Sequence, residues 1–216
     1  MGNAGEPAPE GAVPLPECLC SVADSDDFAF GPGLQWQWQC NPDPRWSEKR
    51  LPGLRLNAFP ASTPFEAGQF LSQLMQRRDF DMDARFAFRL QPGDRCGIGV
   101  MGYTGHFAAV QQGKLLLLRD TAQDRGHRLA PSVTEEILCS VPVSGELSLT
   151  LRLRVRDGQG RFYILREGQT PVPFGEAFPL SQGGWTGARP GIFCLNTGDR
   201  PGGYADFEYV HFSRIS

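Results

Sequence analysis

The 216-residue chain carries 21 Lys and Arg against 24 Asp and Glu, a formal charge of −3, with 40% hydrophobic residues that include 15 Phe, 4 Tyr and 4 Trp. With no Lys- or Arg-rich block and a pI near 5.6, it has no electrostatic footprint for nucleic acid or an anionic membrane, and neutral partners such as polysaccharide stay open. There is no run of about eighteen apolar residues and no basic, apolar leader, so nothing is expected to span a membrane or direct export; the expected location is cytoplasmic, although a truncated N-terminus would hide a leader.

In chain order, residues 1–23 are rich in Pro, Gly, Ala and Glu without periodicity, the composition of a linker. One globular domain is expected over 24–216, beginning near Asp26. Leu34 to Gln39 alternate Gln35, Gln37 and Gln39 with Trp36 and Trp38, which reads as a strand with both indoles on one face. Trp46 follows in a loop beside Pro44 and Ser47. Phe70, Leu71, Leu74 and Met75 fall at helical spacing, a local exception. Phe80, Met82, Ala84, Phe86, Phe88 and Leu90 occupy every second position against Asp81, Asp83, Arg85 and Arg89, the pattern of a sheet with one wet face.

Leu147, Leu149, Leu151, Leu153 and Val155 repeat that alternation, and Asp157-Gly158 turns the chain into Phe162–Leu165. Gln112-Gly113 joins Phe107–Val110 to Leu115–Leu118 in the same way. Short strands between Gly and Pro turns, without βαβ alternation, predict an all-β protein: a two-sheet antiparallel sandwich of the concanavalin A-like or jelly-roll type. The six cysteines (Cys18, Cys20, Cys40, Cys96, Cys139, Cys194) have no zinc or redox spacing and read as reduced, mostly small core residues.

Four ordered motifs carry a family resemblance: Leu34-Gln35-Trp36-Gln37-Trp38-Gln39-Cys40-Asn41-Pro42 with Gly53-Leu54-Arg55-Leu56; Gly93-Asp94-Arg95-Cys96-Gly97; Gly183-Gly184-Trp185-Thr186-Gly187-Ala188-Arg189-Pro190-Gly191; and Gly202-Gly203-Tyr204-Ala205-Asp206-Phe207. Together they resemble the C-terminal sandwich of family 43 glycoside hydrolases (β-xylosidases and α-arabinofuranosidases), also classed as the family 91 carbohydrate-binding module. Cys40 and Cys96 depart from the residues usual there. The resemblance implies a strand, not a helix, around Phe70–Met75. Met1-Gly2-Asn3-Ala4-Gly5-Glu6-Pro7 also looks like the last strand of that family's catalytic propeller, which would make residues 1–23 a propeller remnant and linker. The implied partners are a five-bladed propeller catalytic domain and xylan or xylooligosaccharides.

Sugar binding needs flat apolar faces for ring C–H surfaces and amides for hydroxyls. Trp36, Trp38 and Trp46, with Gln37 and Asn41, are the candidates near the N-terminus, for a ligand or a domain contact; burial in the core is the competing reading for Trp36 and Trp38. Trp185, in a Gly-flanked loop, matches the loop that in the resembled enzymes reaches to the rim of the catalytic pocket, and folding back over the core edge is its alternative.

No catalytic residue is expected in this chain. Asp79, Asp81 and Asp83 alternate like the carboxylates of a glucanase strand, but Arg77, Arg78 and Arg85 flank them and a salt-bridged face is the reading adopted. No cofactor is required. The one metal considered is a structural Ca2+ held by Asp206 with Asp26 or Asp27, clipping the termini, and ordinary strand-end carboxylates are the alternative. His106, His127 and His211 are too dispersed for a metal site. The resemblance implies a non-catalytic accessory domain of a β-xylosidase or arabinofuranosidase that packs on the catalytic propeller and helps to form its xylooligosaccharide subsite; two further functions stand beside that reading, a stand-alone xylan-binding module and a hydrolase using Asp81.

Overall fold

The computed structural model describes residues 24–75, 77–123, 132–183 and 187–214. The strands are β1 (Gln37–Trp38), β2 (Ser47–Lys49), β3 (Leu54–Asn57), β4 (Phe59–Pro60), β5 (Leu71–Ser72), β6 (Phe80–Arg89), β7 (Asp94–Met101) and β8 (Thr104–Gln111). They continue as β9 (Lys114–Ala122), β10 (Val133–Pro142), β11 (Ser148–Arg156), β12 (Gln159–Leu165), β13 (Val172–Pro179), β14 (Arg189–Asn196) and β15 (Tyr204–Ser213). A first sheet runs β13-β12-β11-β6-β15-β3-β2; a second runs β1-β5-β14-β7-β8-β9-β10, with β4 pairing β14. All pairings are antiparallel except β4 with β14. This is the two-sheet sandwich expected, and no helix among the described residues is long and apolar enough to cross a membrane.

The alternation in β6 and β11 sets the main core. Phe80, Met82, Ala84 and Phe86 face inward beside Leu149, Leu151, Leu153 and Val155, all at 5% exposure or less. On the outer face the register places Asp81 opposite Arg154 and Asp83 opposite Arg152. Arg154 Nε and Nη2 reach the two Asp81 oxygens at 2.8 and 2.7 Å, and Arg152 does the same to Asp83 at 2.6 and 2.7 Å. That face is less wet than the pattern suggests, because the arginine stems close over Asp81, which is only 5% exposed. Leu147 departs from expectation: the chain turns at Gly145 (φ 85), β11 starts at Ser148, and Leu147 lies outside the core, 77% exposed.

The two expected hairpins form on type I′ turns, with positive φ at both central residues: Gln112 and Gly113 at 48° and 72°, Asp157 and Gly158 at 49° and 73°. Phe70 to Met75 hold the short strand β5, not a helix. Phe70 and Leu71 point to opposite faces of the second sheet, Phe70 into a small outer cluster and Leu71 into the main core. That outer cluster packs Phe70, Phe107 and Phe193, with Phe107 edge-on to the other two, under the strap of residues 61–70. Phe107 lies flat across the positions of Gly99 and Gly105, where any Cβ would meet its ring. Both faces of the second sheet are therefore covered at β7 and β14, which is why those strands are buried almost throughout instead of alternating.

The family-like motifs meet one another in space. Arg55 grips Asp206 through two bonds of 2.7 Å, joining the first and last. Asp94 accepts the Gly203 N–H at 2.6 Å, joining the second and last. Arg189 donates to Gln39, joining the third and first.

Candidate functional site

The sequence-derived candidates near the N-terminus divide into a structural hub and a half-buried ring pair. Trp36 is 7% exposed and belongs to the main core, with its ring 5.6 Å from Phe28 and its indole N–H donating to Asp26 Oδ2 at 2.9 Å. It is thus closed to a ligand. Trp38 and Trp46 are half-buried, with ring centroids 5.6 Å apart and planes at 59°. The Trp46 ring also lies against Gly68 of the strap, so close that a Cβ there would press on it. Gln37 and Asn41 are exposed. Trp185 lies outside the described residues, as do His127, Cys18 and Cys20. Trp46→Ala is expected to cost about 1–3 kcal/mol of stability, read as a lower urea midpoint at unchanged slope, because it removes the partner of Trp38.

The calcium expectation is corrected by geometry. Asp26 already accepts from the N–H groups of Phe28 at 2.7 Å and Gly33 at 2.9 Å as well as the Trp36 indole, while Asp206 is spent on Arg55. Asp26 pairs with Val210, four residues along β15 from Asp206, which is about 13 Å of strand. Two carboxylates that far apart, each holding N–H donors, do not make a calcium cage. Asp27 instead accepts from the Ala29 N–H at 3.1 Å. Among the described residues no group of three or more His, Cys, Asp or Glu could hold a metal ion. Asp79, likewise, accepts from the Asp157 N–H at 2.8 Å; with Asp81 and Asp83 clamped by arginine, no pair of carboxylates on β6 is free for general acid and base work.

One concave feature was not legible in the chain order. A groove of about 920 Å3 opens along the side of the sandwich, between the inner faces of β8, β9 and β10 and the edge strand β13. Cross-strand register lays its floor in rows. Thr104, Thr121 and Thr134 stand opposite one another, and His106, Arg119 and Glu136 form the next row. Leu117 and Cys139 close a third.

The opposite wall comes from a bulge. β12 and β13 pair at Gly160 with Phe178 and at Phe162 with Phe174, so Gly175, Glu176 and Ala177 stand off the ladder. Gly175 takes φ 71, conformationally easy for glycine, and its carbonyl accepts from the side chain of Arg161 on β12, Nε at 3.2 Å. The bulge leaves Glu176 exposed on the groove, facing the Arg119–Glu136 ion pair. At the base, His106 is 5% exposed and stacks on Phe178 with centroids 3.9 Å apart. Burial, assisted by Arg119, pushes the imidazole down to about 4, so it is uncharged at neutral pH. At one end the Thr104 N–H donates to Ser181 Oγ at 3.0 Å, tying the two walls together.

A comparison with family profiles matches residues 25–213 to the family described as the β-xylosidase C-terminal concanavalin A-like domain. Among solved structures, a bifunctional GH43-CE protein of Bacteroides eggerthii superimposes with TM-score 0.74 at 20% identity, over 89% of this chain and 27% of that one. The xylan β-1,4-xylosidase of Bacillus halodurans C-125 gives 0.68 at 18%, over 90% of this chain and 40% of that one. A functionally unknown protein from Saccharomyces cerevisiae gives 0.57 at 14%, and there the match takes in 97% of the other chain. These structural likenesses concern the fold, and the chain spans less than half the length of the first two. A comparison with curated proteins returned no match.

Proposed function

Because this chain belongs to the family of β-xylosidase C-terminal concanavalin A-like domains, we propose that it works as the non-catalytic accessory sandwich of a family 43 xylosidase or arabinofuranosidase. In that role it docks on a propeller catalytic domain and helps to shape the xylooligosaccharide subsite. The observation that carries this reading is the extent of the family match, residues 25–213, which takes in the sandwich from its first bridge to the end of β15. The solved family 43 proteins support it: 60% of the Bacillus halodurans xylosidase lies outside the part matched here, room enough for a separate catalytic unit. Arginine clamps on the β6 carboxylates agree with a chain that does not itself hydrolyse. Trp185 is the residue assigned to the rim of the partner's pocket.

Co-expression with a family 43 propeller tests the reading. A complex that co-purifies and is more active on xylooligosaccharides than the propeller alone is the expected result. Trp185→Ala in the joined protein should lower that activity several-fold while leaving the thermal midpoint near its original value. Failure to associate, with propeller activity indifferent to the sandwich, would sink the proposal. A second reading, a stand-alone binding module, draws on the Saccharomyces cerevisiae protein, in which a sandwich of this shape makes up 97% of the chain.

A further inference from the structure

We propose that Cys96 and Cys194 are a disulfide site: two core thiols that a small-molecule disulfide, such as oxidised glutathione, links across β7 and β14 while the chain folds. The register sets these residues directly opposite each other on adjacent antiparallel strands. Both side chains belong to the main core, so they leave the sheet on the same face. Directly opposite residues of an antiparallel pair have Cα atoms about 4.5 or 5.5 Å apart, and a disulfide spans about 4.4–6.8 Å between Cα atoms. Their Cβ atoms, about 4.5–5.5 Å apart in such a pair, have to close to about 3.5–4.5 Å. β14 has room to lean, because its outer side pairs at Gly191 and Ile192 and again at Leu195 and Asn196, with Cys194 between the two. Of the other described cysteines, Cys139 stands opposite Leu117 and Cys40 lies outside the strands. Cys96 is also one of the two places where the chain departs from the residues usual in the family it resembles, so the pair does not follow from the family pattern.

In the folded chain both thiols are free and 0% exposed. Burial is the largest cause holding both well above their ordinary pKa; Asp94 adds to it at each, and Cys96 adds to it at Cys194. The thiolate is the attacking species in thiol–disulfide exchange, so the closed core protects the pair from oxidant. The bond is therefore set before the two sheets close. One cysteine thiolate attacks the oxidant's disulfide, forming a mixed disulfide and releasing one glutathione thiolate. The second cysteine thiolate attacks the protein sulfur of that mixed disulfide and releases the other. Two protein thiols are oxidised, one small disulfide is reduced to two thiols, and the two protons pass to the departing thiolates. Because the joined positions are far apart in the chain, the link removes much of the freedom of the unfolded state. The sandwich thus carries a staple when it folds under oxidising conditions and two inert core thiols when it does not.

The test refolds the full chain from urea in oxidised or in reduced glutathione. Cys18, Cys20, Cys40 and Cys139 are first replaced by Ser, so that only the pair can react, and the wild-type chain is carried through the same peptide mapping. After oxidised refolding the intact mass should be lower by two hydrogens, and proteolysis should yield the Cys96 and Cys194 peptides joined, from both proteins. The unfolding constant of the linked chain, read by urea unfolding, should be about thirtyfold or more below that of the reduced chain. The same oxidant added to the folded chain should leave both thiols free over the time in which refolding links them. Cys96→Ala, checked for an unchanged fold by circular dichroism, should abolish the joined peptide and the redox-dependent difference in stability together. Thiols that stay free after oxidised refolding, a glutathione adduct in place of the joined peptide, a linked chain no more stable than the reduced one, or equal linking in the folded chain would each overturn the proposal.

Discussion

Asp94→Ala is expected to destabilise the sandwich by about 3–5 kcal/mol. Asp94 is fully buried, and its carboxylate accepts from the N–H groups of Gln91 and Gly203 and from Asn196 Nδ2, each at 2.6 Å. These donors come from the turn before β7, the entry to β15 and the end of β14, so one side chain joins three separate parts of the fold. Hydrogen bonds to an ionised group contribute roughly 1.5–3 kcal/mol each, and removing the acceptor strands buried donors that water cannot reach. Glycine at 202 belongs to the same arrangement, since a Cβ there would collide with the Asp94 carboxylate. Urea unfolding at neutral pH, read as the midpoint at unchanged slope, checks the value. Asp199→Ala, at an exposed turn, is the control and should change stability by less than about 0.5 kcal/mol. A loss of under about 1 kcal/mol at Asp94 would mean that the three N–H groups find other acceptors.

Asp94 also shows why the motifs were legible while their role was not. Gly93-Asp94-Arg95 and Gly202-Gly203-Tyr204 are 109 positions apart from hub to donor, and only the folded chain reveals that one satisfies the other. The same holds for Arg55 with Asp206 and for Arg189 with Gln39. Several of the residues that mark the family, Arg55, Asp94, Arg189 and Asp206, are thus its internal fastenings. The long strands β6 and β11 could be read directly, because a period of two with a buried face is a local signal, and the I′ hairpins follow from their Gln-Gly and Asp-Gly pairs.

Two features had no local signal. The strap over Phe70, Phe107 and Phe193 buries a second face of β7 and β14, and the only trace of that in the sequence is the lack of clean alternation there. The groove depends on the register of β8, β9 and β10 together with a bulge in β13. Thr104, Thr121 and Thr134 are unremarkable polar residues until the ladders set them side by side. The calcium expectation failed for a related reason: two carboxylates near the ends of the domain imply a clip only if they are unoccupied, and each proved to have its own donors.

Asp120 should make stability depend on pH in a direction opposite to that of most carboxylates. The side chain is fully buried on the strap side of β9. Its Oδ2 accepts the Phe65 N–H at 3.0 Å, and its Oδ1 has no hydrogen-bond partner among the described residues. Burial, with Glu135 adding to it, pushes the acid up to about 7, against the lowering effects of the Phe65 N–H, the Thr63 hydroxyl and Arg95. The folded state therefore keeps a proton that the unfolded chain gives up near 3.8, and the Asp120 contribution is present at low pH and lost as pH rises towards 7. At about 1.4 kcal/mol per unit the change from 3.8 to about 7 comes to roughly 4–5 kcal/mol.

His106 works the other way. Its folded value near 4, below the usual 6.5, makes the protein gain stability as pH rises across that range, so the wild-type profile alone is flattened. Subtracting it from that of Asp120→Asn, which titrates at 106 but not at 120, isolates the carboxyl. The variant should gain on the wild type by several kcal/mol between pH 4 and pH 8, with the change centred between about 4 and 7. Parallel stability curves for the two proteins would show instead that Asp120 ionises in the folded state as freely as in the unfolded one, with water or a shift of the strap solvating Oδ1.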